Sequence, residues 1–195
     1  MPQRRPRHRP RDRSVECELK FRVRGPRDHA RLRALIRKRG ARLEGKYDEE
    51  NYRFDGPGKS TRQTTLRLRV LSGGPRGVLT VKGPAKFVGA VKVREETETE
   101  VKDAHATLDL LTELGFAVAF TYNKHRVIWT LDGVVTVTLD TLDCGWFVEL
   151  EGPLEVLPDQ ARGLGFNPDK ALTDSYSVLA RKHLAKTARL AAASN

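Results

Sequence analysis

The chain has 195 residues, of which 38% are hydrophobic and 31% charged, and its net charge is +11. This length suits one domain with a substantial core, and no apolar run approaches the ~20 residues that a membrane-spanning helix needs. The two cysteines, Cys17 and Cys144, are too few for a disulfide framework and favour a reducing cytoplasm as the compartment.

The first 14 residues form a segment that is rich in arginine and proline. It contains six arginines against a single acidic residue, Asp12. Because such a composition cannot bury apolar surface, we expect a disordered basic tail over residues 1–14, a single domain over 15–186 and a frayed end over 187–195. The tail could hold nucleic acid electrostatically, but a solubilising role is the favoured interpretation.

The chain in order predicts about eight strands and few helices. Residues 15–24 alternate strictly between apolar and charged side chains, which is the pattern of a half-buried strand. Further strands are predicted at 42–54, 64–71, 78–82, 91–101, 117–130, 134–141 and 146–151. Helices are predicted at 28–37, 104–114, 153–163 and 174–186. Short turns between most strands, including Asp132-Gly133, indicate an antiparallel sheet.

The predicted strands carry charged or polar side chains at alternate positions and apolar ones between them. The charged set runs from Glu16, Glu18, Lys20 and Arg22 through Arg67, Arg69, Lys82, Lys92, Arg94, Glu96, Glu98, Lys124, Arg126, Asp140 and Glu149 to Glu151. Either an open sheet leaves this face in water, or the sheet closes into a barrel with the charges in its lumen. Like charges at spacing two repel, so pairs such as Glu16 and Glu18 favour closure around a cation. We therefore predict an α+β fold, an eight-stranded antiparallel closed β-barrel with a charged lumen and helices packed outside.

The two signs of charge on this face indicate a metal and a phosphate. Clustered carboxylates supply hard oxygen ligands for Mg²⁺ or Mn²⁺, whereas lysines and arginines suit a polyphosphate. Phosphoryl transfer requires mainly positioning and charge neutralisation, which such a surface provides. The sequence has no G-x-x-x-x-G-K-[ST] loop, so a nucleotide would have to bind to the strands themselves.

Other conspicuous side chains are assigned structural roles. Tyr52 and Tyr176 are predicted to pack in the core rather than to contact substrate. His125 has the opposite parity to Lys124 and Arg126, and it is therefore predicted to face outward.

Glu16-x-Glu18-x-Lys20 resembles the N-terminal signature of the CYTH superfamily, the triphosphate tunnel metalloenzymes, and the resemblance covers most of residues 15–180. The other motifs follow in the family's order: Leu66-Arg67-Leu68-Arg69, Val81-Lys82-Gly83-Pro84, Arg94-x-Glu96-x-Glu98, Lys124-x-Arg126, Leu139-Asp140, Phe147-Val148-Glu149-Leu150-Glu151 and Ser175-Tyr176. Residues 15–23, 81–84 and 114–116 are most similar to the class IV adenylyl cyclase-like and thiamine triphosphatase-like branch.

The resemblance implies a role for each group of charged residues. The acids would bind a divalent metal, Mg²⁺ or Mn²⁺, or orient water, and they are Glu16, Glu18, Asp140, Glu149 and Glu151. Phosphate oxygens would be contacted by Lys20, Arg67, Arg69, Lys82, Arg94, Lys124 and Arg126. The implied catalytic residues are Glu16, Glu18 and Lys20, and Glu96 and Glu98 would either bind metal or fix basic residues in salt bridges. Many relatives carry a basic residue before the late Ser-Tyr pair; this chain has Asp174 there, and Lys170 or Lys182 would have to substitute.

The resemblance also implies a triphosphate-containing substrate and leaves the reaction open. The favoured reaction is hydrolysis of inorganic triphosphate, thiamine triphosphate or a nucleoside triphosphate by water attack on a terminal phosphorus. The alternative is a class IV adenylyl cyclase, in which the ribose 3′-hydroxyl attacks the α-phosphorus and gives cyclic AMP and pyrophosphate. A non-catalytic polyphosphate or nucleic-acid binder is a third hypothesis. Relatives imply a homodimer, and no membrane contact is expected.

Overall fold

The computed structural model describes residues 14–56, 64–72 and 74–193, and its elements lie close to the predicted ones. The strands in these ranges are β1 (Ser14–Val23), β2 (Arg42–Asp55), β3 (Thr65–Leu71), β4 (Gly77–Lys82), β5 (Lys86–Val88), β6 (Val91–Val101), β7 (Ala117–Leu131), β8 (Val135–Leu142) and β9 (Gly145–Glu151). The helices are α1 (Pro26–Lys38), α2 (Ala104–Glu113), α3 (Leu157–Gly163) and α4 (Tyr176–Ala193), with a 3₁₀ turn at Pro168–Lys170. The predicted tail lies outside the described residues except for Ser14, which begins β1.

The strands form one antiparallel sheet that closes on itself. Its order is β1-β9-β8-β7-β2-β3-β4-β6, and β6 also pairs with β1, in register from Ser14 opposite Glu96 to Glu18 opposite Lys92. The barrel therefore has eight strands, while the short β5 pairs with the first residues of β6. The closed antiparallel barrel is confirmed, and the open sheet is wrong, because closure leaves the first and last strands paired with each other.

Alternation along the strands sends the apolar side chains outward, where the helices cover them. Leu32 of α1 and Leu157 of α3 are buried in one cluster with apolar residues of β1, β7, β8 and β9. Leu111 of α2 packs in a second cluster against β2 and β3. Leu179 of α4 packs in a third cluster against Leu142 and Phe147, which have the parity of the inward Asp140 and Glu149, so α4 covers the end of the barrel. Each buried leucine stabilises the fold by about 1.5–3 kcal/mol. The charged positions of the same strands are left to face the interior.

Three elements differ from the prediction. The short β5 was not predicted, because its three residues are all exposed and carry no alternation. Helix α3 begins at Leu157 rather than at Pro153, since residues 153–156 form a turn. Helix α4 continues to Ala193, beyond the predicted end at Lys186, because its last residues are rich in alanine, the strongest helix former. No helix among the described residues is long and apolar enough to cross a membrane.

Candidate functional site

The barrel encloses a cavity of about 550 Å³ whose wall carries the charged positions of the strands. Strands β1, β3, β4, β6, β7, β8 and β9 contribute to it, together with residues 175–177 at the start of α4. The predicted site residues on this wall are Glu16, Glu18, Lys20, Arg67, Arg69, Lys82, Arg94, Glu96, Glu98, Lys124, Arg126, Glu149 and Glu151. Asp140 is instead fully buried, in contact with Arg126.

Three of the predicted metal ligands converge at one place on the wall. Carboxylate oxygens of Glu16, Glu18 and Glu151 lie within 4.8 Å of one another, because Glu16 and Glu18 alternate on β1 and Glu18 is opposite Glu151 on β9. Burial and the neighbouring carboxylates raise the pKa of Glu151 to about 7, against the opposing effect of Arg126. A divalent cation would relieve this repulsion, and carboxylate oxygens are the ligands that Mg²⁺ and Mn²⁺ prefer. The donor set therefore fits such an ion.

Two lysines already neutralise part of this cluster. Lys82 Nζ lies 2.6 Å from a carboxylate oxygen of Glu16 and 2.9 Å from one of Glu96. Lys92 Nζ lies 2.8 Å from a carboxylate oxygen of Glu18. Burial disfavours the charge of Glu16, but the Lys82 ammonium outweighs it and the pKa of Glu16 is lowered. The pKa of Glu96 is raised, because burial and the charge of Glu16 outweigh its contact with Lys82.

The other two predicted metal ligands, Asp140 and Glu149, lie in a buried ion-pair network around Arg126. The Arg126 guanidinium donates two hydrogen bonds to Asp140, at 2.7 and 2.6 Å, and another to Glu149. Lys20 Nζ lies 3.0 Å from Glu149, and the Tyr176 hydroxyl donates to Asp140 at 2.7 Å. Burial opposes the charge of Glu149, but Lys20 and Arg126 hold its pKa well below the ordinary value. Both carboxylates thus position cations at the cavity wall.

The arginines of β3 present unused hydrogen-bond donors. The Nε atoms of Arg67 and Arg69 are buried and have no acceptor among the described residues. Arg67 Nη2 lies 3.5 Å from the Thr80 hydroxyl, and Arg69 Nη1 lies 3.7 Å from a Glu49 oxygen. Arg94 Nε, in contrast, donates to a backbone carbonyl at 2.8 Å. A buried donor without an acceptor is costly, and a phosphate oxygen would satisfy each of the two guanidinium groups.

Glu49 of β2 is a buried charge that sequence reasoning missed. It is 3% exposed, and its carboxylate lies 3.2 Å from Lys124 Nζ and 3.7 Å from Arg69. Burial opposes its charge, but Lys124 and two arginines outweigh this and lower the pKa of Glu49 to about 2. Burial and the charge of Arg126 lower the pKa of Lys124 to about 8. This part of the lumen therefore holds an excess of positive charge.

Tyr176 combines the predicted core packing with a place in the site. Its ring is 5% exposed and packs edge-on against Phe147. The same ring contacts two ammonium groups, since the Nζ atoms of Lys20 and Lys124 lie 4.2 and 5.1 Å from its centroid. Cation–π contacts of this kind hold the two lysines in place beside the cavity.

The segment before α4 supplies polar atoms in place of the missing basic residue. Lys182 Nζ lies 2.7 Å from the Asp174 carboxylate, and neither side chain is among those that line the cavity. The Asp174 carbonyl accepts a hydrogen bond from Lys20 Nζ at 3.2 Å, whereas Lys170 is exposed in the 3₁₀ turn. Neither Lys170 nor Lys182 therefore takes the place of the basic residue that many relatives carry before the Ser-Tyr pair.

A closed antiparallel barrel with carboxylates and buried guanidinium groups around one cavity defines a tunnel protein equipped for an anion and a divalent cation. The chain belongs to the CYTH family, because the CYTH domain model matches residues 14–160. This match confirms the family to which the strand motifs pointed.

Solved structures share the fold over nearly their whole length. The PH1012 protein from Pyrococcus horikoshii is 26% identical, with a TM-score of 0.71 over 84% of this chain and 98% of that one. A Vibrio parahaemolyticus protein proposed to be an adenylate cyclase is 20% identical, with a TM-score of 0.72 over 87% and 99%. A Hippeastrum protein with a dominant triphosphatase activity is 18% identical, with a TM-score of 0.65 over 86% and 96%. No curated protein matches the chain.

Proposed function

We propose that this chain is a divalent-metal-dependent triphosphatase that hydrolyses a triphosphate inside the barrel. The observation that carries the proposal is that Arg67 and Arg69, which line the cavity that holds the acid cluster, each have a buried Nε donor without an acceptor among the described residues. Buried cationic donors and clustered carboxylates around one space are complementary to a polyphosphate and a metal ion together.

The basic side chains would bind and orient the substrate. Arg67 and Arg69 offer free donors, and a negative charge beside Lys124 would offset the burial and the Arg126 charge that lower its pKa. Lys20 and Arg126 are fixed by Glu149 and Asp140 and would donate to further phosphate oxygens. Lys82 and Arg94 would complete the set.

The acids divide into two roles. Glu16, Glu18 and Glu151 would hold the divalent ion, since they are the carboxylates that converge. Asp140 and Glu149 would position Arg126 and Lys20, because their oxygens already accept hydrogen bonds from these cations. When bound, the metal supplies Lewis-acid stabilisation of charge on the phosphate oxygens.

In the reaction, a water oxygen would form a bond to the terminal phosphorus while the bond from that phosphorus to the bridging oxygen breaks, and the proton that the water loses would pass to a phosphate oxygen of the products. Negative charge then accumulates on the leaving phosphate chain. Arg67, Arg69 and Lys124, which line the cavity, would neutralise this charge, and their burial would make that stabilisation stronger than it is in water.

Hydrolysis is favoured over cyclisation by the chemistry of the wall. About half of the residues that line it are charged, while Val15, Ile128, Val134 and the rings of Tyr122 and Tyr176 supply apolar surface, so the wall offers a polyphosphate more specific partners than it offers a purine ring. The Hippeastrum protein has a dominant triphosphatase activity. At 18% identity that likeness extends to the fold alone, so the reaction must be assayed directly.

The test is incubation of the purified chain with Mg²⁺ or Mn²⁺ and, in parallel, tripolyphosphate, thiamine triphosphate or ATP. We expect metal-dependent release of orthophosphate. Cyclic AMP with pyrophosphate would establish the cyclase instead, and substrate binding without product would indicate a polyphosphate binder.

A substitution in the acid cluster tests the assignment of the site. Glu16→Gln should lower turnover at least about 100-fold, because it removes a charged ligand from the cluster. Glu113→Gln is the matched control, since Glu113 is exposed at the end of α2. Equal activity of the two variants would contradict the proposed site.

A further inference from the structure

Lys92 is a buried lysine of the tunnel that pairs with one acid of the cluster. Its ammonium lies 2.8 Å from Glu18, directly opposite it across the β1–β6 pair, and the residue is only 5% exposed. It also lines the cavity, next along the same face of β6 from Arg94. Lys92 is thus a cation of the binding site that is held by one of the three converging carboxylates.

The contact between Lys92 and Glu18 competes with the binding of a metal by Glu18. A divalent cation bound by Glu16, Glu18 and Glu151 draws on the same carboxylates as the ammonium groups, since Lys82 contacts both oxygens of Glu16 and Lys92 contacts one oxygen of Glu18, and the positive charges repel each other. The displaced ammonium of Lys92 would be left buried, and a buried charge without a partner is strongly unfavourable. The phosphate oxygens of a triphosphate bound in the same cavity are anions that can receive it.

We propose that Lys92 is a further triphosphate-binding residue, which Glu18 holds until a divalent cation takes the carboxylate. This inference rests on the proposed function. It makes the bindings of metal and triphosphate mutually reinforcing, because the metal frees a cation for the phosphate and the phosphate removes a competitor of the metal. Such coupling is reciprocal by thermodynamic necessity.

The substitution Lys92→Met separates the two effects because they have opposite signs. Without Lys92, Mn²⁺ added alone should bind about tenfold more tightly, since it no longer competes with an ammonium. At saturating Mn²⁺, diimidotriphosphate, a triphosphate whose nitrogen bridges resist hydrolysis, should bind about tenfold more weakly because one cationic contact is lost. Isothermal titration calorimetry measures both affinities without turnover.

Lys86→Met is the matched control. Lys86 lies on β5, is exposed and does not line the cavity, so its loss changes the net charge equally without touching the site. We expect it to leave both affinities near those of the unmodified chain. Thermal unfolding followed by circular dichroism checks the fold of each variant. If Lys92→Met does not fold, Lys92→Gln, which can still donate to Glu18 but carries no charge, takes its place with the same expected signs.

Three outcomes would overturn the inference. They are weaker Mn²⁺ binding in the Lys92 variant, Mn²⁺ binding equal to that of Lys86→Met, and unchanged affinity for diimidotriphosphate. If Lys92 had only a structural role, its substitution would weaken the binding of Mn²⁺ and of diimidotriphosphate together. The inference and the proposed function fail separately, because the former is read from binding and the latter from product release by the unmodified chain.

Discussion

The buried ammonium of Lys124 should give triphosphate binding a measurable dependence on pH. Burial and the charge of Arg126 lower its pKa from 10.5 to about 8. A triphosphate bound against Arg67, Arg69 and Lys124 adds negative charge beside the ammonium, and this charge would move the pKa back toward its ordinary value. Above pH 8, therefore, Lys124 must take up a proton when the ligand binds.

The size of the effect follows from the two pKa values. At pH 8.5 a group with a pKa of about 8 is roughly one-quarter protonated, and one with a pKa near 10.5 is almost fully protonated, so binding takes up about 0.7 proton per molecule. At pH 6.5 both states are protonated and the uptake is close to zero. The affinity should accordingly fall as the pH rises above 8, by up to about tenfold per unit.

Calorimetric titration with diimidotriphosphate and Mn²⁺, in two buffers of different ionisation enthalpy, measures the uptake. Lys124→Arg is the control, because arginine stays charged throughout this pH range. Subtracting its result removes the proton exchange of the ligand itself. Equal uptake by the two proteins at pH 8.5 would refute the reasoning, and so would an uptake by the unmodified chain that is equally large at pH 6.5.

Two further sets of substitutions test the buried charges. Glu49→Gln should lower the free energy of unfolding by about 3 kcal/mol at pH 7. The Glu49 pKa is shifted from 4.5 to about 2, and this shift stabilises the fold while the carboxylate is ionised. The difference in stability between the variant and the unmodified chain should therefore fade as the pH falls from about 5 to 2. Urea unfolding across this range checks it, with exposed Glu50→Gln as the control; a difference that does not change with pH would contradict it. Tyr176→Leu should raise the KM for triphosphate about tenfold more than Tyr176→Phe, since only the leucine removes the cation–π contacts with Lys20 and Lys124. Equal KM values in the two Tyr176 variants would show that the ring does not hold the lysines.

Most of the fold could be predicted from the alternation of apolar and charged residues along each strand. This alternation predicted that Glu18 and Lys20 face the lumen, where both are buried. It also turned His125 outward, where its ring lies 2.7 Å from the exposed Asp48. Alternation works here because each barrel strand has one face on the lumen and the other under a helix or in solvent.

The prediction failed where alternation is hidden or where a contact depends on closure. Glu49 lies in a continuous polar run, and only the apolar Tyr52 and Phe54 further along β2 mark the odd positions as inward. The pairing of Lys92 with Glu18 had no local signal, because it exists only through the β1–β6 register. Local pattern fixes the face of a side chain, whereas its partner depends on the arrangement of distant strands.

The seam between β1 and β6 couples folding to assembly of the site. The ion pair Lys92–Glu18 crosses this seam, and Lys82–Glu16 joins β1 to β4, the next strand beyond β6. These pairs join residues 74 and 66 positions apart in the chain, so they form only when a long loop has closed. A shift of the seam by one residue would bring charged side chains onto the apolar face. The same charges therefore favour one register of barrel closure. When β1 pairs with β6 in that register, the acidic and basic side chains of the site are brought together in the same step.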